Sequence, residues 1–356
     1  MTDARLRAVA LRDSFVAEGA IAIETPILQP AGLLLDLYGE DIRARAYMTS
    51  DALHGEQMLR PDFTVPVVQM HMSNSIEQAR YTYVGEVFRR QEDDPNRPNE
   101  FLQTGYEIFD RTNPAETDAE VFALLERSVS HLKLSAIIGD IGILMAAVDG
   151  LHTTERRKMA LRRHIWRPNR FRMLLDRFSG RTAIPNSRQA LLNDHISRDV
   201  PLIGLRSHSE IQDRVNALKA DSAEPPITSV EIDGLDALLK VCDKLPFALK
   251  CLRDLAKTIP SISSAVLNLD ARIEALISRG IDVEALEFDM NFGRSSMEYY
   301  DGFVFGFYSK TRPELPAIAS GGRYDALTQR LGNGEEIPAV GGVLRPSLMV
   351  DLERSL

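Results

Sequence analysis

The segment running Phe88-Arg-Arg-Gln-Glu-Asp-Asp-Pro-Asn-Arg97-Pro-Asn-Glu-Phe-Leu-Gln103-Thr-Gly-Tyr-Glu107 restricts the possible folds of this chain more than any other. It reads as two strands joined by a polar loop containing Pro and Asn, with arginines on the way in and Gln and Glu on the way out. Residues two apart along an antiparallel strand share a face, so Gln103, Gly105 and Glu107 line one surface. A glycine between two polar residues leaves room for something to lie against that surface. Arginine offers planar donors to phosphate or carboxylate. Gln and Glu accept from an ammonium or a ring N–H.

Period and punctuation place the other elements. Leu6, Val9, Ala10, Phe15 and Val16 recur at helical spacing within Ala4–Glu18, and Gly19 ends that helix. Short strand signals follow at Ala20–Thr25 and Tyr83–Phe88. Pro114–Leu132 reads as an amphipathic helix opened by acids, as the helix dipole favours. Ser135–Leu144 reads as a buried strand. Helix signals dominate from about 153 to 285, at Val215–Lys219, Val230–Leu245, Phe247–Thr258 and Ile262–Arg279. Strand alternation returns at Gly302–Tyr308. The pattern is an α+β fold, a sheet-based core interrupted by a helical insertion. The expected division is 1–150 for the first part of the core, 151–286 for the insertion and 287–356 for the second part.

The segment around Arg89, Arg97, Phe101, Gln103, Gly105 and Glu107 resembles motif 2 of the class II aminoacyl-tRNA synthetases. Within that class the chain is similar to histidyl-tRNA synthetase. Glu24-Thr-Pro-Ile-Leu28 resembles motif 1, and Leu59-Arg-Pro-Asp62-Phe-Thr64 the family's Leu-Arg-Pro-Glu-x-Thr strand. Tyr299-Tyr300 before Val304-Phe305 resembles the histidine-specific tyrosine pair. Gly321-Gly-Arg-Tyr-Asp325 with Pro338-Ala-Val-Gly341 resembles the approach to motif 3. The resemblance implies an antiparallel sheet core flanked by helices. It also implies a histidine site in which Asp62, Thr64 and Gln103 take the α-ammonium. Glu107 would take one imidazole nitrogen, and Tyr299 or Tyr300 would contact the other or wall the ring. Asp62 has a second reading as a helix N-cap, since it follows Pro61 and precedes an apolar run. Arg89 and Arg97 are the candidates for holding a phosphate, or else pair with Glu92, Asp93 and Asp94.

Three departures from the family pattern fall on its ATP side. Gln91 stands where motif 2 has an acid. Ser295 stands where the histidyl enzymes carry an arginine before the tyrosine pair, with Arg294 one place off. Leu348 takes the place of the motif 3 arginine, after an Arg345-Pro-Ser sequence that puts proline into the family's helix. Nucleotidyl chemistry of this kind rests mostly on positioning and charge neutralisation. Each lost group costs on the order of a hundred- to a thousand-fold in rate. Amino-acid activation is therefore not expected, and Arg345 would lie off the amino-acid face.

A net charge of −9 argues against wrapping a polyanion, although a local patch can still do so. The stretch from Glu155 to Arg181 is such a patch, its ten bases set against Glu155 and Asp176 for a local charge of about +8. Trp166, Phe171 and Phe178 interleave with its bases. It reads as an RNA-binding strip, as an arginine-rich face for a protein partner, or as a helix pair with its aromatics in the core. Cys242 and Cys251 show no metal-ligand spacing and read as buried thiols. No signal peptide or spanning segment is evident, so the expectation is a cytoplasmic protein without metal or cofactor.

A synthetase-like core with a reduced ATP side, and with no anticodon-binding domain expected after Leu356, is similar to the regulatory subunits of ATP phosphoribosyltransferase. That resemblance implies a non-catalytic chain assembled with a short phosphoribosyltransferase catalytic subunit. It would mediate feedback by L-histidine on the first step of histidine biosynthesis, with a homodimer formed through the motif 1 region at Ile21–Leu28. The alternatives are a ligase that adenylates a free amino acid, an RNA-binding relative, and a pseudo-synthetase sensor module.

Overall fold

The computed structural model describes residues 2–38, 42–74, 76–91, 97–193, 204, 206–294 and 299–355. Its main sheet has nine strands. These are β1 (Ile21–Ala22), β5 (Ala79–Phe88), β6 (Glu100–Phe109), β7 (Leu134–Asp140), β8 (Cys242–Lys244), β9 (Glu287–Asp289), β10 (Phe303–Ser309), β11 (Ala319–Arg323) and β12 (Ala339–Leu344). Their order across the sheet is β1-β5-β6-β12-β11-β10-β7-β9-β8. Neighbours are antiparallel except β1 with β5 and β7 with β9. A small sheet, ordered β2-β4-β3, comprises β2 (Leu28–Pro30), β3 (Met48–Asp51) and β4 (Gly55–Leu59).

Strand alternation divides the core in two. Tyr106 and Ile108 of β6 point to one face. There they join Phe122 and Leu125 of helix Pro114–Val129 and the phenylalanines of β10. Phe109 points to the other face, where it meets Tyr81, Phe63, Val67, Tyr324 and Leu327. Gln103, Gly105 and Glu107 face this second side. The register sets Gln103 opposite Gly85, Gly105 opposite Tyr83 and Glu107 opposite Tyr81 on β5, and Glu107 opposite Gly341 on β12.

Most elements lie where periodicity places them. Helix Asp3–Ala17 is capped by the Thr2 hydroxyl, and Asn113 caps the helix that Pro114 opens. Three expectations need correction. The run Ser135–Leu144 is strand only to Asp140, and helix Ile141–Asp149 follows. An unbroken apolar run fits a buried strand or a buried helix equally, so its period could not locate the switch. Val230–Leu245 is helix only over Ser229–Leu238, and β8 then adds an edge strand to the sheet. Cys242 and Cys251 are exposed free thiols, one on that edge strand and one on the outer face of helix Leu245–Thr258.

The 156–181 strip forms helices Glu155–Arg163 and Pro168–Phe178, with Phe171 and Phe178 in the core. Several of its bases are neutralised within the molecule. Arg157 is buried and bonds Asp221 at 2.8 Å, Arg162 pairs with Asp149 and Glu155, and Arg172 with Asp236. No helix among the described residues is long and apolar enough to cross a membrane. No group of three or more His, Cys, Asp or Glu among them could hold a metal ion.

Candidate functional site

Glu107 is the centre of the site and is fully buried. Its Oε1 accepts from Thr64 Oγ1 at 3.0 Å and from the Tyr83 hydroxyl at 2.9 Å. Its Oε2 accepts from the Tyr324 hydroxyl at 2.5 Å. Among the described residues it has no cationic partner. Burial pushes its pKa up to about 7, against the pull of Tyr324, Tyr83 and Thr64 and with a further push from Asp62. A buried carboxylate held only by hydroxyls still favours a cation or a polarised ring N–H, because neutral donors only partly offset its desolvation.

Glycine makes this packing possible. A Cβ on Gly341 would stand 1.4 Å from Glu107 Oε2, and one on Gly105 would stand 2.1 Å from the Tyr83 ring. The space beside Gly105 is therefore filled by Tyr83 from the neighbouring strand, not left open to a ligand.

The remaining expected residues lie on or next to the face of the sheet that carries Glu107. Asp62 is buried, and its Oδ1 accepts from the Val65 N–H at 3.3 Å in the first turn of helix Thr64–Ser73, although the N-cap itself is Phe63 and not Asp62 as expected. Gln103 is 1% exposed, and its Oε1 has no hydrogen-bond partner among the described residues. An orphan buried acceptor costs about 1–3 kcal/mol, a cost that a bound ammonium would remove. The rings of Tyr299 and Tyr300 meet edge to face at 4.9 Å, and Tyr299 approaches Tyr324 at 6.0 Å. Both tyrosines lie in the segment before β10. The Tyr300 hydroxyl is held above its usual pKa by burial and then by Glu107, with Asp62 acting the same way. Asp62 and Glu107 thus lie close enough to act on one another and on Tyr300, with Gln103 further along the Glu107 face of the same strand.

The ATP side is arranged differently. Arg89 Nε donates to the Pro61 carbonyl at 2.7 Å, and its guanidinium lies 5.6 Å from the Phe101 ring centre. Arg97 is exposed. Arg345 donates to the Ala317 carbonyl, and burial and the nearby Arg89 push its pKa down to about 10. Leu348 lies in the first turn of helix Pro346–Glu353, against the core on the opposite face of the sheet. Arg294 is buried away from the site, donating to the Ile165 carbonyl at 2.9 Å and to Asn291 at 2.8 Å, with Phe171 under its guanidinium. Ser295 and the acids Glu92, Asp93 and Asp94 lie outside the described residues.

Two side chains that hold Glu107, Tyr83 and Tyr324, were not singled out from sequence. Trp166, read there only as part of the basic strip, donates Nε1 to the Tyr300 carbonyl at 3.0 Å. The alternation of Tyr81 and Tyr83 opposite Glu107 was the available signal for the first. Tyr324 belongs to a recognised block, but nothing local showed its target.

The histidyl-tRNA synthetase family model matches residues 3–199 and 205–348. An ATP phosphoribosyltransferase regulatory subunit from Agrobacterium fabrum is 32% identical, across 93% of this chain and 92% of the relative. The chain belongs to that regulatory-subunit family. A regulatory subunit from Brucella anthropi is 29% identical, with 93% of each chain covered. Membership makes this a regulatory chain of histidine biosynthesis rather than a catalytic one, on a class II synthetase-like fold. Solved structures agree on the fold. A Bacillus halodurans protein described as an ATP phosphoribosyltransferase regulatory subunit/histidyl-tRNA synthetase superposes with TM-score 0.68 at 21% identity, covering 98% of this chain and 79% of that one. Histidyl-tRNA synthetase from Nostoc superposes with TM-score 0.63 at 18% identity, covering 99% and 73%.

Proposed function

We propose that this regulatory subunit binds free L-histidine at the Glu107 site and, assembled with a short ATP phosphoribosyltransferase catalytic chain, makes that chain active and histidine-sensitive. The observation that carries the reading is the fully buried Glu107, with three hydroxyl donors and no cation among the described residues, on the same strand face as Gln103, whose Oε1 has no partner among them. Histidine offers an imidazole N–H to the first and an ammonium to the second. Asp62 and Thr64 complete the ammonium end, and Tyr299 and Tyr300 enclose the ring. Such a site discriminates strongly, because an analogue lacking either group leaves buried polar atoms unpaired.

The ATP side supports regulation over adenylation. Leu348 packs half-buried against the core on the opposite face of the sheet, and Arg294 is committed to Ile165 and Asn291. Arg89 and Arg97 remain the candidates for a phosphate contact. Ile21, Ile27 and Leu28 are 58%, 43% and 48% exposed, an apolar edge suited to a homodimer through the motif 1 region. The assembly is placed in the cytoplasm, where histidine synthesis draws on ATP.

Co-purification with the short transferase, assayed with and without histidine, tests this reading. Activity that depends on this chain and falls on adding histidine is the expected result. A transferase indifferent to the chain refutes the assignment, and histidine-dependent ATP–pyrophosphate exchange by the chain alone would make it a ligase.

A further inference from the structure

The two helices Glu155–Arg163 and Pro168–Phe178 sort their side chains by face. Leu161, Phe171, Leu175 and Phe178 are buried inward. Outward lie Met159 and Met173, 54% and 70% exposed. Arg156, Arg163, Arg170 and Arg177 are exposed around them. Among the described residues Arg156, Arg163 and Arg170 make no ion pair, unlike Arg157, Arg162 and Arg172 within the same helices. In a chain of net charge −9, this face thus carries arginines with no ion pair among the described residues, and two thioethers.

This composition fits a protein partner. Arginine and methionine are enriched in interfaces and lysine is depleted. An exposed, flexible thioether adapts to an apolar partner surface, while guanidinium forks pair bidentately with carboxylates. Single-stranded RNA would want aromatic platforms, but Phe171 and Phe178 are in the core and Trp166 is bonded to the Tyr300 carbonyl. A second copy of this chain does not fit either. A two-fold contact presents the same patch to itself and would set these arginines against one another.

We propose that the outer face of this hairpin docks an acidic surface of the catalytic chain. The proposal rests on the partnership argued above and adds where it is made. Trp166, in the turn of the hairpin, donates to the backbone of Tyr300 at 3.0 Å. One hydrogen bond therefore joins the hairpin that carries the docking face to the backbone of Tyr300.

The test uses the full-length chain and the short transferase, with association read by sedimentation and histidine affinity by calorimetry. Reversing charge with Arg163→Glu/Arg170→Glu should weaken association by roughly a hundredfold, since like charges then face each other. Met159→Ser/Met173→Ser should weaken it by about tenfold through lost apolar contact. Both variants should keep wild-type histidine affinity, which reports an intact fold. Undiminished association of the charge-reversed protein overturns the docking face and leaves the regulatory reading standing. Failure of the wild-type chain to associate overturns both. Salt-resistant tRNA binding that the reversed charges abolish would assign the face to nucleic acid and overturn the proposal.

Discussion

Glu107 and Gly341 lie opposite each other on β6 and β12, and the Glu107 carboxylate occupies the space where a side chain at 341 would begin. The buried carboxylate at the centre of the candidate site thus depends on the absence of an atom on the next strand. Tyr83 and Tyr324 then fix both carboxylate oxygens.

Gly341→Ala should displace Glu107 and break its hydroxyl contacts. The expected cost is about 1–3 kcal/mol of stability, the range for overpacking a dense core, together with loss of histidine binding. Denaturant unfolding and calorimetry check both, and an alanine variant that binds histidine normally would show that the strand yields.

Trp166→Phe keeps an aromatic ring and removes the N–H given to Tyr300. A loss of about 1 kcal/mol in stability is expected. Histidine affinity should fall as well, although Trp166 is not part of the acceptor set. Equal affinity in the two proteins would mean that Tyr300 is held without the indole.

Stability should depend on pH through Glu107. Its folded pKa of about 7 exceeds the ordinary 4.5, so the folded state binds the extra proton between those values. Stability therefore falls as pH rises through that window and levels off above it. Asp301, also raised to about 7 by burial, acts in the same direction. His71, lowered to about 4 by burial, acts oppositely, losing stability as pH falls from 6.5. Comparison of Glu107→Gln with wild type isolates the first contribution. The difference should shift by roughly 2–3 kcal/mol in favour of the variant between pH 4.5 and 7. Parallel urea midpoints across the range would return Glu107 to an ordinary carboxyl.

Arg272 carries a buried ionic chain that ties the second half of the molecule to the pocket. It bonds Asp118 at 2.7 Å and Asp140 at 2.8 Å, and Asp118 in turn accepts from Arg323, the residue before Tyr324. Arg272→Met leaves Asp140 buried without its cation and should cost about 3–5 kcal/mol. A smaller loss in thermal or denaturant unfolding would indicate that water replaces the guanidinium.

The hairpin from Phe88 to Glu107 and the shared face of Gln103 and Glu107 were legible because a strand's period of two is a local property of the chain. So were the helices Asp3–Ala17 and Pro114–Val129, whose apolar stripes and caps lie within their own sequence. Family membership was legible in blocks spread from Glu24 to Gly341. The partners at the site were not. Thr64 reads as an ammonium ligand, but nothing local showed that its hydroxyl is donated to Glu107; Gly105 reads as open space, yet the Tyr83 ring covers it. Leu348 and Arg294 could be seen to depart from the family pattern, but not that Leu348 packs against the other face of the sheet or that Arg294 is buried against Ile165.

Local spacing states which side of an element a residue faces. Which groups meet on that side depends on the register between strands far apart in sequence, such as β6 with β12, and on the burial that register creates. The amino acids of this chain therefore determined its elements, its family and the face that carries the acceptors. Only the folded arrangement decided that Glu107 is buried beneath three hydroxyls, because desolvation and hydrogen bonding are properties of a neighbourhood.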